Sequence, residues 1–121
     1  MIIKKEIFEQ LSKELRLPYT GIEQDWDLEM ANSKRLKDFI EFYRGNELSS
    51  EKKIAIMSLI IASYEDFLNE NDLKRDNKWI EIKSLIESQK VIFQELINRW
   101  ALPNELNNNN IFKITPLMRT V

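Results

Sequence analysis

Apolar side chains recur with helical spacing along the first part of the chain, and they predict two amphipathic helices. The first covers residues 3–15 and ends before Pro18, which cannot continue a helix, and Gly21, which permits a turn. The second covers residues 33–43, and Gly45 follows it where a C-terminal cap is expected. The apolar faces consist of Ile7, Phe8, Leu11 and Leu15 in the first helix, and of Leu36, Phe39, Ile40 and Tyr43 in the second.

A third apolar stretch differs from these two because apolar residues occur on nearly all sides of the predicted helix. It runs to about Leu68, and Ser49 or Ser50 can cap its start, with Glu51 in the first turn at the positive end of the helix dipole. A helix that is apolar all round belongs in the middle of a fold. We therefore expect this helix to be central, with the others packed around it.

A fourth helix is predicted after the polar stretch 69–77, and it ends before Pro103. Its apolar stripe, which Gln89 interrupts, contains four residues spaced seven apart, namely Trp79, Ile86, Phe93 and Trp100. Such a stripe serves either as a two-sided contact within one chain or as a short coiled-coil seam. The second alternative predicts a homodimeric structural or regulatory protein that pairs through the helix containing Trp79, Ile86 and Phe93.

The remaining residues, 103–121, change in character. Four consecutive asparagines at 107–110 predict a loop, and residues 111–115 read as a short strand that Pro116 ends. This irregular tail either packs on the helices or is loosely attached. Residues 1–121 are expected to form a single all-α domain, a compact four-helix bundle-like arrangement with an acidic N-terminal connecting segment.

The composition excludes several classes of catalytic site. Histidine and cysteine are absent and the chain has only two glycines. Ser-His-Asp, Cys-His and zinc-type sites therefore cannot be assembled from this chain, and no glycine-rich phosphate loop is present. We expect no cofactor, no metal and no enzymatic activity. A small enzyme that uses carboxylates is the alternative, with the adjacent acids Glu65 and Asp66 as its weak signal, although adjacent helical residues point about 100° apart.

The negative charge is concentrated near the start of the chain. Residues 1–30 contain seven acids and four bases, whereas the rest of the chain is nearly balanced. Four of the acids lie in residues 23–29. This segment is either an ordinary solvated face or a docking surface for a basic protein, and concentrated charge of one sign accelerates association with an opposite patch. The predicted partner-binding residues are Tyr19, Glu23, Asp25, Asp27 and Glu29, with Glu65 and Asp66 as weaker candidates.

The conformation of this acidic segment has two alternatives. If it is extended, the four acids alternate onto one face, whereas in a helix Asp25 stacks on Glu29 and Trp26 on Met30. The extended pattern is the cleaner one. In both cases Trp26 is expected to anchor the segment to the core.

Other partners have little support in the sequence. No basic stripe runs along the chain, so binding to nucleic-acid phosphates is not expected. The longest apolar run, residues 54–62, is far shorter than the roughly 20 residues that span a bilayer. The N-terminus also lacks the apolar region of a signal peptide, so we expect a cytoplasmic protein.

Three sequence patterns suggest a family. QDWDLEMA, RLKDFIEFY and EKKIAIMSLIIASYEDFL, within residues 19–68, resemble small bacterial immunity proteins of polymorphic and contact-dependent toxin systems. The resemblance implies a cytoplasmic protein that neutralises a cognate toxin domain by binding it. Nuclease toxins tend to be basic around the active site, so the acidic segment would inhibit such a toxin by mimicking phosphate.

Overall fold

The computed structural model describes residues 3–121, and every regular element in that range is helical. The all-α prediction is therefore confirmed. Two short 3₁₀ turns, Ser33–Arg35 and Asn108–Asn110, accompany the α-helices. The α-helices in chain order are α1 Lys5–Leu15, α2 Trp26–Met30, α3 Leu36–Gly45, α4 Ser50–Glu70, α5 Lys78–Ser88, α6 Gln94–Ala101 and α7 Thr115–Met118.

Helix α4 is the centre of the fold, as its sequence predicts. The hydroxyl of Ser49 accepts a hydrogen bond from the backbone N–H of Lys52 and so caps the start of the helix. Every residue from Ile54 to Tyr64 is buried. Helices α1, α2, α3 and α5 all contact α4, so its apolar circumference is covered by the rest of the chain.

The prediction of one continuous fourth helix is wrong. The helix stops at Ser88, because Gln89 leaves the helical conformation with φ −139° and ψ 46°, and α6 begins five residues later. The side chain of Gln89 accepts hydrogen bonds from the Lys53 ammonium at 2.8 Å and from the Tyr43 hydroxyl at 3.4 Å. Gln89, the polar residue that interrupts the apolar stripe, is thus hydrogen-bonded to side chains of α3 and α4. The described residues consequently form more helices than the predicted four-helix arrangement.

The residues of the predicted coiled-coil seam are buried and do not form an exposed surface. Trp79, Ile86 and Phe93 are all buried within the single chain, and the Tyr43 and Phe93 rings pack with centroids 6.4 Å apart. A second copy of the chain would reach these three side chains only if the core opened. The stripe therefore acts as a contact within one chain.

The tail packs on the helices. Instead of the predicted strand, residues 111–114 form a loop that leads into α7, and Pro116 lies in the first turn of that helix. Ile114, Thr115 and Met118 are buried. The Arg119 guanidinium donates hydrogen bonds to three backbone carbonyls, those of Ala101, Leu102 and Glu105. The end of the tail, from Ile114 onwards, therefore contributes to the same hydrophobic core as the helices.

The second predicted helix also starts differently. Residues 33–35 form a 3₁₀ turn, whose start is capped by the side chain of Asn32, and the α-helix begins at Leu36. Gly45 ends the α-helix instead of following it, and Asn46 occupies the capping position. No helix in the described part of the chain is both long and apolar enough to cross a membrane.

Candidate functional site

The second half of the acidic segment folds as a helix, and no part of the segment is a strand. Residues 26–30 form α2, so the alternation expected of an extended segment is absent. Trp26 is 3% exposed, stacks on Phe8 with centroids 5.0 Å apart, and donates its indole N–H to the Ser12 hydroxyl at 2.8 Å. The prediction that Trp26 anchors the segment to the core is therefore confirmed. The anchor fixes the orientation of the carboxylates on either side of it.

Asp27 does not lie on the surface. Its residue is only 7% exposed, and its carboxylate accepts hydrogen bonds from the Ser58 hydroxyl of α4 and, at 2.7 Å, from the Arg99 guanidinium of α6. Asp27 thus presents little surface to a partner, and its partner contact stays a prediction. A buried carboxylate needs a charged or hydrogen-bonded partner, and both donors here come from helices that α2 packs between. Asp27 therefore links α2 to α4 and α6.

Glu23 uses its carboxylate within its own loop. It accepts hydrogen bonds from the backbone N–H groups of Thr20, Gly21 and Ile22 and from the Thr20 hydroxyl. Desolvation raises the pKa of Glu23, but these hydrogen bonds outweigh it, so the pKa lies below the ordinary value. Gly21, which ends the sequence LPYTG at residues 17–21, has a φ of +96°. This backbone conformation favours glycine. Glu23 is consequently a loop-stabilising residue.

Tyr19 lies beside this loop and is half-buried. Partial burial raises the pKa of its hydroxyl above the ordinary value, and the nearby charges of Glu23 and Glu9 act in the same direction. The phenol therefore stays neutral and can serve as a hydrogen-bond donor to a partner. Tyr19 remains a candidate contact residue.

The other two acids of the segment differ in how their carboxylates are used. The Glu29 carboxylate accepts the backbone N–H of Asp25 at 2.9 Å, an arrangement like a capping box that stabilises the start of α2. The Asp25 carboxylate is exposed and makes no hydrogen bond or ion pair with residues 3–121. Asp25 is thus the acid of the segment that is most available to a partner.

A cleft of about 400 Å³ opens next to Asp25. We call it the Trp26 cleft; its apolar walls come from α1, α2, α4 and α6 through Phe8, Trp26, Ile54 and Leu96. The exposed polar side chains that line it include Asp25, Glu95 and Arg99. Because the Arg99 guanidinium is paired with Asp27, the exposed Asp25 carboxylate places negative charge at the edge of the cleft.

Glu65 and Asp66 lie near the other end of α4. Eight residues separate Ser58 from Asp66 along this helix, which corresponds to about 12 Å. The Glu65 carboxylate accepts the backbone N–H groups of Lys113 and Ile114 at 3.1 and 2.8 Å. It therefore holds the tail against α4, and its role as a partner contact stays a prediction. Neither Glu65 nor Asp66 lines the Trp26 cleft.

Asp66 has no such hydrogen bond and faces other acids. Partial burial raises the pKa of its carboxyl above the ordinary value, and the charges of Glu70 and Glu65 raise it further. A raised pKa in the folded chain means that ionisation of Asp66 weakens the fold. This penalty is absent below the ordinary carboxyl pKa and fully present once the pH exceeds the raised value.

We expect Asp66→Asn to stabilise the protein slightly at neutral pH, because the amide removes the repulsion from Glu65 and Glu70. After allowance for solvent screening, the gain in unfolding free energy should be a few tenths of a kcal/mol. Urea denaturation of variant and wild type, followed by tryptophan fluorescence, measures it. The gain should shrink as the pH is lowered from about 7 towards about 4. A variant less stable than wild type at pH 7 would contradict this assignment.

The residues that complete the cleft are not apparent from the sequence. Arg99 and Ser58 meet Asp27 across separations of 72 and 31 residues, and no local pattern encodes such pairings. Glu95 and Arg99 are spaced i, i+4 on a helix, which is the one sequence signal that places them on a common face.

The described residues contain no group of three or more metal-ligating side chains placed to hold a metal ion. Comparisons with protein-family models, with curated proteins and with solved structures give no match to this chain.

Proposed function

We propose that this protein is a non-catalytic binding module that engages a protein partner through the Trp26 cleft. The observation that carries the proposal is the chemistry of the cleft. Aromatic and aliphatic walls lie beside Asp25, an exposed carboxylate without a partner among residues 3–121. A pocket with apolar walls and an exposed carboxylate at its edge suits the anchoring side chain of a protein partner.

The anchor that fits best is a lysine or arginine of the partner. Its methylene groups would lie against Ile3 and Phe8, the partly exposed apolar residues of the cleft, and its charged end would reach Asp25. Arg99 does not oppose this cation strongly, because its guanidinium is already paired with Asp27. A basic partner surface would thus gain both apolar contact and an ion pair.

The partner class follows from the resemblance of residues 19–68 to bacterial immunity proteins. We propose that the partner is a basic toxin domain, which the protein neutralises by binding in the cytoplasm. The proposed contact set consists of Asp25 at the cleft, Glu29 next to it, and Tyr19, which lines a separate cavity. Asp66 lies too far along α4 to share a contact with the cleft.

Charge reversal at Asp25 tests the proposal. We expect Asp25→Lys to weaken binding to the toxin domain about tenfold, mainly through a slower association rate that depends less on salt. The toxin domain to use is the variable C-terminal domain of a large secreted protein, if sequencing of the neighbouring genes identifies one. Surface plasmon resonance at several salt concentrations measures both rates, and protection of toxin-expressing cells gives an independent readout.

Glu41→Lys is the matched control. Glu41 is an exposed acid on α3 that does not line the cleft, and its contact with Lys37 is long, at 3.9 Å. It changes the net charge by the same amount as Asp25→Lys. If both variants bind alike, or if the wild type does not bind the toxin domain, the proposed function is wrong.

A further inference from the structure

A second surface, which shares no lining residue with the Trp26 cleft, is positively charged. Two open cavities of about 540 and 570 Å³ lie where the tail meets the start of α5. They share Arg75 and Leu117 and so form one continuous groove, which we call the basic groove. None of its lining residues lines the Trp26 cleft, so binding in the basic groove does not depend on the proposed function.

The charge of the basic groove is unbalanced. Among the described residues, four bases line the two cavities against one acid, Glu87. One of these bases, Lys113, is paired with Asp72 at 2.9 Å. The other three, Lys74, Arg75 and Lys83, make no ion pair within residues 3–121. The groove therefore presents three cations that are free to meet an anionic ligand.

The floor of the groove is apolar and partly uncovered. Ile80 is 71% exposed and Phe112 is 41% exposed, although both are large hydrophobic side chains. Leu117 and Pro116 extend this floor along α7. Exposed apolar surface that is bordered by charge is typical of a site that binds another protein.

We propose that the basic groove binds an acidic amphipathic helix of a protein partner. Acidic side chains on the flanks of such a helix would meet Lys74, Arg75 and Lys83, while its apolar stripe would cover Ile80, Phe112 and Leu117. Charge complementarity selects the sign of the partner, and the apolar floor selects a protein over a purely anionic polymer.

The three free cations come from two elements, the connection before α5 and α5 itself, and the apolar floor is completed by the tail. Because Asp76 and Glu81 are interspersed among these cations, no basic stripe is visible in the sequence. The groove exists because Glu65 and the buried Ile114 hold the tail beside α5.

The test uses the full chain and a fluorescein-labelled synthetic peptide. The peptide has about 16 residues, or four to five helical turns, with Leu at i, i+3, i+4 and i+7 and Asp or Glu elsewhere. We expect saturable binding by fluorescence anisotropy and weaker binding as salt is raised. A second peptide, with every Leu replaced by Ser, should bind at least about tenfold more weakly.

Two double variants of equal net charge decide where the peptide binds. Lys74→Glu with Arg75→Glu should weaken binding at least about tenfold, whereas Lys34→Glu with Lys90→Glu, at exposed positions outside the groove, should leave it nearly unchanged. Ile80→Ser, which removes apolar floor without changing charge, should also weaken binding. Circular dichroism confirms that each variant is folded.

Several results would overturn the proposal. They are the absence of saturable binding up to about 1 mM peptide, equal loss of binding in the two double variants, and equal affinity for the Leu and Ser peptides.

Two other results would overturn the proposal by assigning the groove to a different occupant. Binding of phosphatidylserine vesicles without binding of the peptide would indicate a membrane surface. A wild-type dimer in light scattering that Lys74→Glu with Arg75→Glu converts to a monomer would indicate a second copy of the chain.

Discussion

Asp27→Ala is expected to lower the free energy of unfolding by about 3 kcal/mol, one of the two largest effects we predict. The substitution leaves the Ser58 hydroxyl without its acceptor and removes the ion pair with Arg99. A fully buried arginine would make the loss larger, but the Arg99 side chain is 45% exposed and can be solvated again. Urea denaturation, followed by circular dichroism, measures the change.

Two control variants separate the ion pair from general effects of the substitution. Asp27→Asn keeps an oxygen that can accept from Ser58 but loses the charge, so about half of the destabilisation should remain. Asp38→Ala removes an ion pair with Arg35 that is partly open to solvent, since the Arg35 side chain is 31% exposed and the Asp38 side chain 59% exposed. This substitution should lower the free energy of unfolding by less than about 1 kcal/mol. Equal losses for Asp27→Ala and Asp38→Ala would show that Asp27 does not link the helices.

The burial of Asp27 also determines how the acidic segment can be tested for binding. Charge reversal at Asp27 would place a lysine ammonium beside the Arg99 guanidinium in a buried position and would destabilise α2. Any loss of binding would then report on folding. Asp25 is exposed and makes no ion pair within residues 3–121, so reversal at Asp25 alone tests the surface charge.

Glu65→Gln is expected to lower the free energy of unfolding by about 2 kcal/mol. The Glu65 carboxylate accepts the N–H groups of Lys113 and Ile114 with its two oxygens. Glutamine offers one oxygen and turns an N–H₂ group towards the second donor, so one charge-assisted hydrogen bond is lost and one is weakened. Hydrogen exchange of the backbone amides should accelerate around residues 113–118 before it does in α4.

The neighbouring substitution Asp66→Asn is a sensitive control for this prediction. Both changes neutralise one acid on the same turn of α4, yet they should have opposite signs, since Asp66 has only like-charged neighbours. If Glu65→Gln is as mild as Asp66→Asn and leaves hydrogen exchange in the tail unaltered, then Glu65 does not hold the tail. The same variant should also weaken peptide binding in the basic groove, because the tail forms one side of it.

Burial was easier to predict than the path of the backbone. Trp79, Ile86, Phe93 and Trp100 are all buried, as their spacing indicates, although the helix that was expected to carry them is broken between Ser88 and Gln94. Heptad spacing indicates which residues lie on a common side of the fold. It does not report whether a turn intervenes, and here the hydrogen bonds of Gln89 with Lys53 and Tyr43 accompany the break.

The candidate site shows the same difference at the level of single side chains. The position of Trp26 in the core follows from its apolar character, and the structure agrees. Asp25 and Asp27 are both acids two residues apart, and nothing in the local sequence distinguishes them. The start of α2 places Asp25 in solvent and Asp27, two residues later, between Ser58 and Arg99, so only the packing of α2 separates their roles.

The sequence by itself determined the all-α class, the central position of α4, the anchoring of Trp26 and the absence of imidazole and thiol chemistry. These properties depend on composition and on periodicity within a few residues, which backbone geometry converts directly into helices and buried faces. The tertiary structure decided which carboxylates are free, where the tail lies and how Lys74, Arg75 and Lys83 meet an apolar floor. Those properties depend on contacts between residues far apart in the chain, whose partners are set only when the helices pack.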